Sequence, residues 1–134
     1  MTNMARPVGV EARLRTAYRE MAAGDLENLL DLYEPDAVIQ SAGQVPVVGA
    51  KAIREFWSAT FSSYRVALVP DVLEEAAFGD VTIVRGNAVG RLVPRVGGES
   101  IAVDSWFMQV YRRRAAGTWH FWRGTNGPNA PAPR

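Results

Sequence analysis

The stretch Gly24-Asp25-Leu26-Glu27-Asn28-Leu29-Leu30-Asp31-Leu32-Tyr33-Glu34-Pro35-Asp36-Ala37-Val38 decides the fold. Gly24 tolerates a left-handed backbone and suits the end of one helix; Asp25 suits the N-cap of the next. Upstream, Val10, Leu14, Ala17, Tyr18 and Met21 recur at helical spacing. Downstream, Leu26, Leu29, Leu30 and Tyr33 form one apolar stripe on a second helix, which Pro35 stops. Ala37 to Gln40 reads as a short strand, followed by a turn-rich loop through Ser41, Gly43 and Pro46. Gly49-Ala50-Lys51-Ala52-Ile53-Arg54-Glu55-Phe56-Trp57 then leads into a third helix, about Ala50 to Phe61.

After Ser63 the apolar period changes to two. Strands are predicted over Arg65–Phe78, Val81–Val93, Ser100–Arg112 and Thr118–Arg123. Pro70 inside the first demands an edge position or a bulge. Helices first and long strands after imply an α+β domain, with a curved sheet wrapped around helices and a pocket inside. The domain spans residues 10–126, between a loose tail at 1–9 and a Pro-rich tail at 127–134.

Gly97-Gly98 suits a two-residue hairpin turn. That turn pairs Leu92 with Val103, Gly90 with Ser105, Ala88 with Phe107 and Gly86 with Gln109 on one face. Arg91 then meets Asp104, Val89 meets Trp106 and Asn87 meets Met108 on the other. Gly86, Ala88 and Gly90 remove side-chain volume from a strand centre. Either a cavity occupies that space or Phe107 and its neighbours fill it.

Composition narrows the function. A chain of 134 residues with 48% hydrophobic content forms a single folded domain. A net charge of +1 supplies no field for nucleic acid, and the arginine clusters read as solvated faces. Lys51 is the only lysine, a bias that a GC-rich bacterial genome would give. The chain has no cysteine, which excludes thiol catalysis, disulfides and thiolate metal sites. A lone histidine makes a transition-metal site unsupported, and no cofactor motif is present. Neither a secretory leader nor a membrane-length apolar run is visible, so a cytoplasmic location is expected.

The order helix, Gly-Asp, helix ending Leu-Tyr-x-x-Asp-Ala, strand, Gly-x-x-x-Ile helix and four long strands resembles the NTF2-like superfamily (ketosteroid isomerase-like, SnoaL-like). Val110-Tyr111-Arg112-Arg113 followed by Gly117-Thr118-Trp119 is similar to its DUF4440 branch. The resemblance implies a cone-shaped barrel, three N-terminal helices packed on a strongly curved, mostly antiparallel sheet. It also implies a mostly apolar pocket open at one end, and a homodimer through the convex face covering Val89, Trp106 and Met108. Aligned to ketosteroid isomerases, the base aspartate falls on Ser41, the oxyanion-hole aspartate on Phe107 and the donor tyrosine on Ala17. That chemistry is therefore not carried over. The Asp–Arg–Asp relay of limonene-epoxide hydrolases is not carried over either: Asp104 and Arg91 are expected as an ion pair on the convex face.

His120, in Trp119-His120-Phe121-Trp122-Arg123, is placed by simple alternation on the pocket face with Trp122, Gly124 and Asn126. It is the candidate acid/base, because imidazole titrates near neutrality. Asp36, expected near the helix-side pocket mouth, and Tyr18 are the assisting candidates; a capping role for Asp36 and a packing role for Tyr18 are the alternatives. Trp57, Phe61, Phe107 and Trp122 are candidate apolar walls. Ser105, Gln109 and Asn126 are candidate polar contacts to a ligand. The reading favours a protein that binds a small hydrophobic molecule. The alternative is an isomerase, cyclase or dehydratase acting on a polyketide- or steroid-like substrate. An association domain of a larger protein is a third, disfavoured by the chain's standalone length.

Overall fold

A computed structural model describes residues 9–130. The N-terminal tail and the last four residues lie outside the described residues, apart from Gly9. The elements are α1 (Val10–Ala23), α2 (Leu26–Leu30), β1 (Tyr33–Ser41), β2 (Val47–Val48), α3 (Gly49–Ser63), β3 (Tyr64–Phe78), β4 (Val81–Pro94), β5 (Ile101–Arg113) and β6 (Trp119–Pro128). They build one sheet in the order β2-β1-β6-β5-β4-β3, antiparallel except where β1 runs parallel to β6. This is the expected α+β cone, with helices packed against a curved sheet.

Gly24 and Asp25 behave as their chemistry requires. Gly24 is left-handed at φ 67, and the Asp25 N–H donates to Glu20 O at 3.0 Å, closing α1. The Asp25 carboxylate accepts from the Asn28 N–H at 3.0 Å and opens α2. The second helix is shorter than the apolar stripe suggested. Tyr33 is not on it: it opens β1 and pairs with Phe121. Proline at position 35 drives Glu34 away from helical backbone angles, so the chain is already extended there. Leu14, Leu29, Ile53 and Val84 are fully buried and anchor the helices to the sheet. Each contributes roughly 1.5–3 kcal/mol by removal from water.

Pro70 lies on β3, an edge strand, and a bulge follows between Val72 and Glu74. Gly86 and Gly90 serve the bend. A Cβ on Gly86 would collide with the Asp71 carbonyl oxygen, and one on Gly90 with that of Ala67. Gly90 also has φ 151, in the region that favours glycine. These glycines let β3 coil closely over β4. Phe107 reaches over Gly86, its ring 3.0 Å from where that Cβ would be.

The β4–β5 pairing differs from the expected one by two residues. Gly86 faces Phe107, Ala88 faces Ser105 and Gly90 faces Val103. The connection is a loop over residues 95–100. Arg95 starts it early: its backbone N–H donates to Ser63 O at 3.0 Å and its Nε to Phe61 O at 2.5 Å. Those bonds cap the end of α3 and divert the chain from β5. A shift of two residues leaves every side chain on its expected face. It does separate Arg91, opposite Ala102, from Asp104, opposite Val89. The predicted Arg91–Asp104 ion pair is not formed; the Asp104 carboxylate instead accepts from Asn129 Nδ2 at 2.8 Å.

β6 contains the larger surprise. Its register to β5 slips between Val110↔Arg123 and Tyr111↔Phe121, leaving Trp122 as an extra residue. The strand also continues to Pro128, so Gly127 and Pro128 belong to the sheet and not to the tail.

Candidate functional site

The concave side of the sheet and the helices enclose a cavity of ≈ 900 Å³. Tyr18 and Met21 of α1 and Phe56, Trp57 and Thr60 of α3 roof it. Val66, Leu68, Ala88 and Leu92 form one wall, and Ser105, Phe107 and Gln109 of β5 the next. Phe121, Gly124 and Asn126 of β6 complete it beside Tyr33 and Ile39 of β1. One end is solvent-facing, ringed by exposed Ala42, Gln44, Ile101, Ala102 and Ala130. At the other end Tyr111 and Phe121 are buried. β5 therefore runs from the mouth at Ile101 to the deep end at Gln109.

Six predicted residues come together here: Tyr18, Trp57, Ser105, Phe107, Gln109 and Asn126. Ser105 Oγ donates to the Ala88 carbonyl at 3.1 Å, stitching β5 to β4. Phe107 packs on Tyr18 with ring centroids 6.3 Å apart. Phe61 does not reach the cavity surface; it stands behind Trp57 at 5.6 Å between centroids.

Three predicted residues lie elsewhere. The extra residue at Trp122 inverts the alternation of β6, so Phe121 faces the cavity while His120 and Trp122 do not. His120 is 6% exposed, with Nδ1 3.3 Å from the Thr118 carbonyl oxygen. Burial, with Arg114 and Arg13 nearby, lowers its pKa from the usual 6.5, favouring neutral imidazole. Trp122 lies between the guanidinium groups of Arg112 and Arg123, each 4.5 Å from its ring centroid. Asp36 is on that same outer side. It accepts from Arg112 Nη2 at 3.1 Å and Trp122 Nε1 at 3.3 Å. Desolvation opposes its ionisation, but these two partners outweigh it and hold the carboxyl below its usual range. Asp36 is thus an ion-pair member and not a residue of the pocket mouth.

Tyr33, expected on a helix face with its hydroxyl at the rim, lines the cavity from β1, and Tyr111, to which the sequence reading gave no role, is buried behind Gln109. Tyr33 accepts from Trp57 Nε1 at 3.1 Å, and Tyr111 donates to Gln109 Oε1 at 3.0 Å. Tyr111 alternates with Gln109 and Phe107 on β5, a signal available in the sequence. Tyr33 was misplaced by its assignment to a helix. Burial raises all three phenols: Tyr18 is pushed up to about 12, and Tyr33 and Tyr111 also move upward. They are neutral hydrogen-bonding groups across the physiological range. Among the described residues the cavity lining has no histidine, lysine, arginine or glutamate. Its one carboxylate, Asp104, is at the rim and held by Asn129.

A cone of helices and sheet around such a hollow is the architecture of the NTF2-like, ketosteroid isomerase-like proteins. The chain belongs to the SnoaL-like domain family, which it matches over residues 14–122. No curated protein matches it. Among solved structures it is similar to a ketosteroid isomerase-like protein from Erwinia carotovora atroseptica, with TM-score 0.81 and 19% identity over 91% of this chain and 95% of that one. A protein from Novosphingobium aromaticivorans, provisionally named an aromatic ring hydroxylase, superposes with TM-score 0.74 and 26% identity over 92% and 93% of the two chains. A Streptomyces avermitilis protein, provisionally named a dehydratase of the NTF2-like family, does so with TM-score 0.77 and 17% identity over 91% and 94%. No helix among the described residues is long and apolar enough to cross a membrane.

Proposed function

We propose that this protein binds a small hydrophobic molecule in the cavity. The observation that carries this reading is the lining itself: ≈ 900 Å³ walled largely by aliphatic and aromatic side chains, with uncharged polar groups among them and a single carboxylate, Asp104, at the rim. A space of that size and character suits a drug-sized apolar ligand. The similarity to proteins provisionally named a ring hydroxylase and a dehydratase is compatible with an aromatic or polycyclic ligand. Acid–base catalysis has less support. His120, the candidate for it, is on the far side of β6, and the groups inside are phenols raised by burial.

The test is titration with N-phenylnaphthylamine, a dye that fluoresces when taken out of water. Saturable binding is expected. Ala88→Phe, which fills the middle of the hollow, should weaken it at least about tenfold while leaving the circular dichroism spectrum unchanged. Dye uptake that ignores the filled cavity would remove the proposal.

The convex face supports a second element of the proposal, association with another copy of this chain. Val69 faces Val89 across β3 and β4, and Trp106 and Met108 continue the stripe on β5. All four are exposed. A two-fold dimer would bury the same stripe on both copies. Trp106→Asp should convert a dimer to a monomer in light scattering; a wild-type monomer at micromolar concentration would count against it.

A further inference from the structure

The bulge in β6 does more than turn His120 outward. Regular alternation would put Phe121 and Gly124 on opposite faces of the sheet. The extra residue at Trp122 brings both to the cavity. The Phe121 ring then folds back along its own strand and lies over Gly124, where an added Cβ would collide with the far edge of the ring. Only a residue without a side chain leaves that space free. The other sides of the ring are packed. Tyr33 lies against it with centroids 4.8 Å apart, and Tyr111 meets it edge-on at 6.0 Å. The Phe121 backbone N–H donates to the Leu32 carbonyl at 2.8 Å, which ties β6 down beneath the ring. Phe121 is 8% exposed and lines the hollow.

This geometry closes the deep end. Gln109 is opposite Gly124 on β5, and its Cγ stands 3.5 Å from where a Gly124 Cβ would be, so its stem fills the space beside the ring. The Tyr111 hydroxyl holds the Gln109 carboxamide through Oε1 at 3.0 Å. Tyr111 itself is 2% exposed and stands behind this layer, off the cavity lining. A ligand that enters at Ile101 runs along β5 past Ser105 and Phe107 and meets carbon at the end of its path: the Phe121 ring and the Gln109 methylenes. Each methylene of an apolar tail gains by leaving water as long as there is room for it. One that reaches the ring must displace a side chain packed on two tyrosines.

We propose that Phe121, laid over Gly124 by the bulge in β6, is the floor of the cavity and sets the longest apolar tail that the protein accepts. The proposal rests on the binding reading above and adds to it a residue that determines ligand length.

The experiment displaces N-phenylnaphthylamine with linear primary alcohols of increasing chain length, whose hydroxyl keeps to the solvent-facing mouth. Wild-type affinity should rise about fourfold per methylene and stop rising at one chain length. Two substitutions should move that limit in opposite directions. Phe121→Leu lowers the floor, and affinity should go on rising about fourfold per methylene beyond the wild-type limit. Gly124→Ala raises it. The Gly124 φ lies outside the left-handed region, so the new Cβ strains no backbone and meets the ring alone. With Tyr33 and Tyr111 on its other sides, the ring yields into the hollow, and the limit should fall to shorter chains. Wild-type affinity for the shortest alcohols shows that each variant is folded with its mouth open; if one variant fails to fold, the direction of the other decides. A limit that stays in place, moves the same way in both variants or is missing from wild type would overturn the floor and leave the binding reading standing. Failure of the alcohols and of N-phenylnaphthylamine to bind wild type would bring down both.

Discussion

The two faces of β6 and its neighbours solve the same problem in opposite ways. On the outer side, Glu34, Asp36, Arg112, Arg114, Trp122 and Arg123 form a lattice of ion pairs and ring–guanidinium contacts. On the inner side the bonds carry no formal charge: Tyr33 accepts from Trp57, and Tyr111 donates to Gln109. Ionised groups keep part of their hydration outside, where Arg112 and Arg114 remain partly exposed. Inside, ionisation would be uncompensated, and the phenols stay protonated. A titratable residue on this domain therefore stands in an ion pair when it faces out and stays neutral on the cavity wall when it faces in. The face decides, and the residue type does not.

The sharpest way to break the contrast is to unbend the sheet that separates the faces. Gly90→Val places a Cβ against the Ala67 carbonyl oxygen at a backbone angle that valine resists. Strain and overpacking together should cost about 3 kcal/mol, seen as a lower urea midpoint, and the dye-binding cavity should be lost. Next comes the outer lattice. Glu34 is 5% exposed between two arginines, and Glu34→Gln leaves them without its charge. A loss of about 2 kcal/mol is expected in chemical denaturation, with dye affinity intact. Trp122→Ala should cost about 1 kcal/mol through the lost cation–π contacts. It too should spare ligand binding, and a large loss of dye affinity would mean that Trp122 reaches the cavity after all.

The smallest effect is the most pointed. His120 has its folded pKa below its unfolded value of 6.5, so the unfolded chain takes up the proton more readily. The stability that neutral His120 allows is present above that unfolded value and declines as pH falls towards the lower folded one. Between pH 7.5 and 5.5 wild-type protein should lose slightly more thermal stability than His120→Gln. Dye affinity should be the same in both, and loss of binding in the variant would return His120 to the site.

Much of this division was readable in advance on β4 and β5. Their inward residues were identified although the turn was misplaced, because the misplacement was even. Phe107, Ser105 and Gln109 line the hollow in either register. On β6 the error was odd. One extra residue at Trp122 exchanged the faces for everything before it, and His120 was assigned inward while Phe121 was overlooked. Tyr33 was put on the wrong element for a different reason: an apolar residue after Leu29 and Leu30 continues a helical stripe as well as it begins a strand.

The chain's own residues determine its helix starts and stops, the caps at Gly24 and Asp25 and the order of elements, because each depends on neighbours a few positions away; that Pro70 lies on an edge strand was settled only by the order of strands in the sheet. Only the folded molecule decides where β6 slips, how far the β4–β5 loop is drawn back by Arg95, and which tyrosines meet Gln109. Those outcomes are set by contacts between segments distant in sequence, and a strand's side-chain direction changes completely with a single inserted residue.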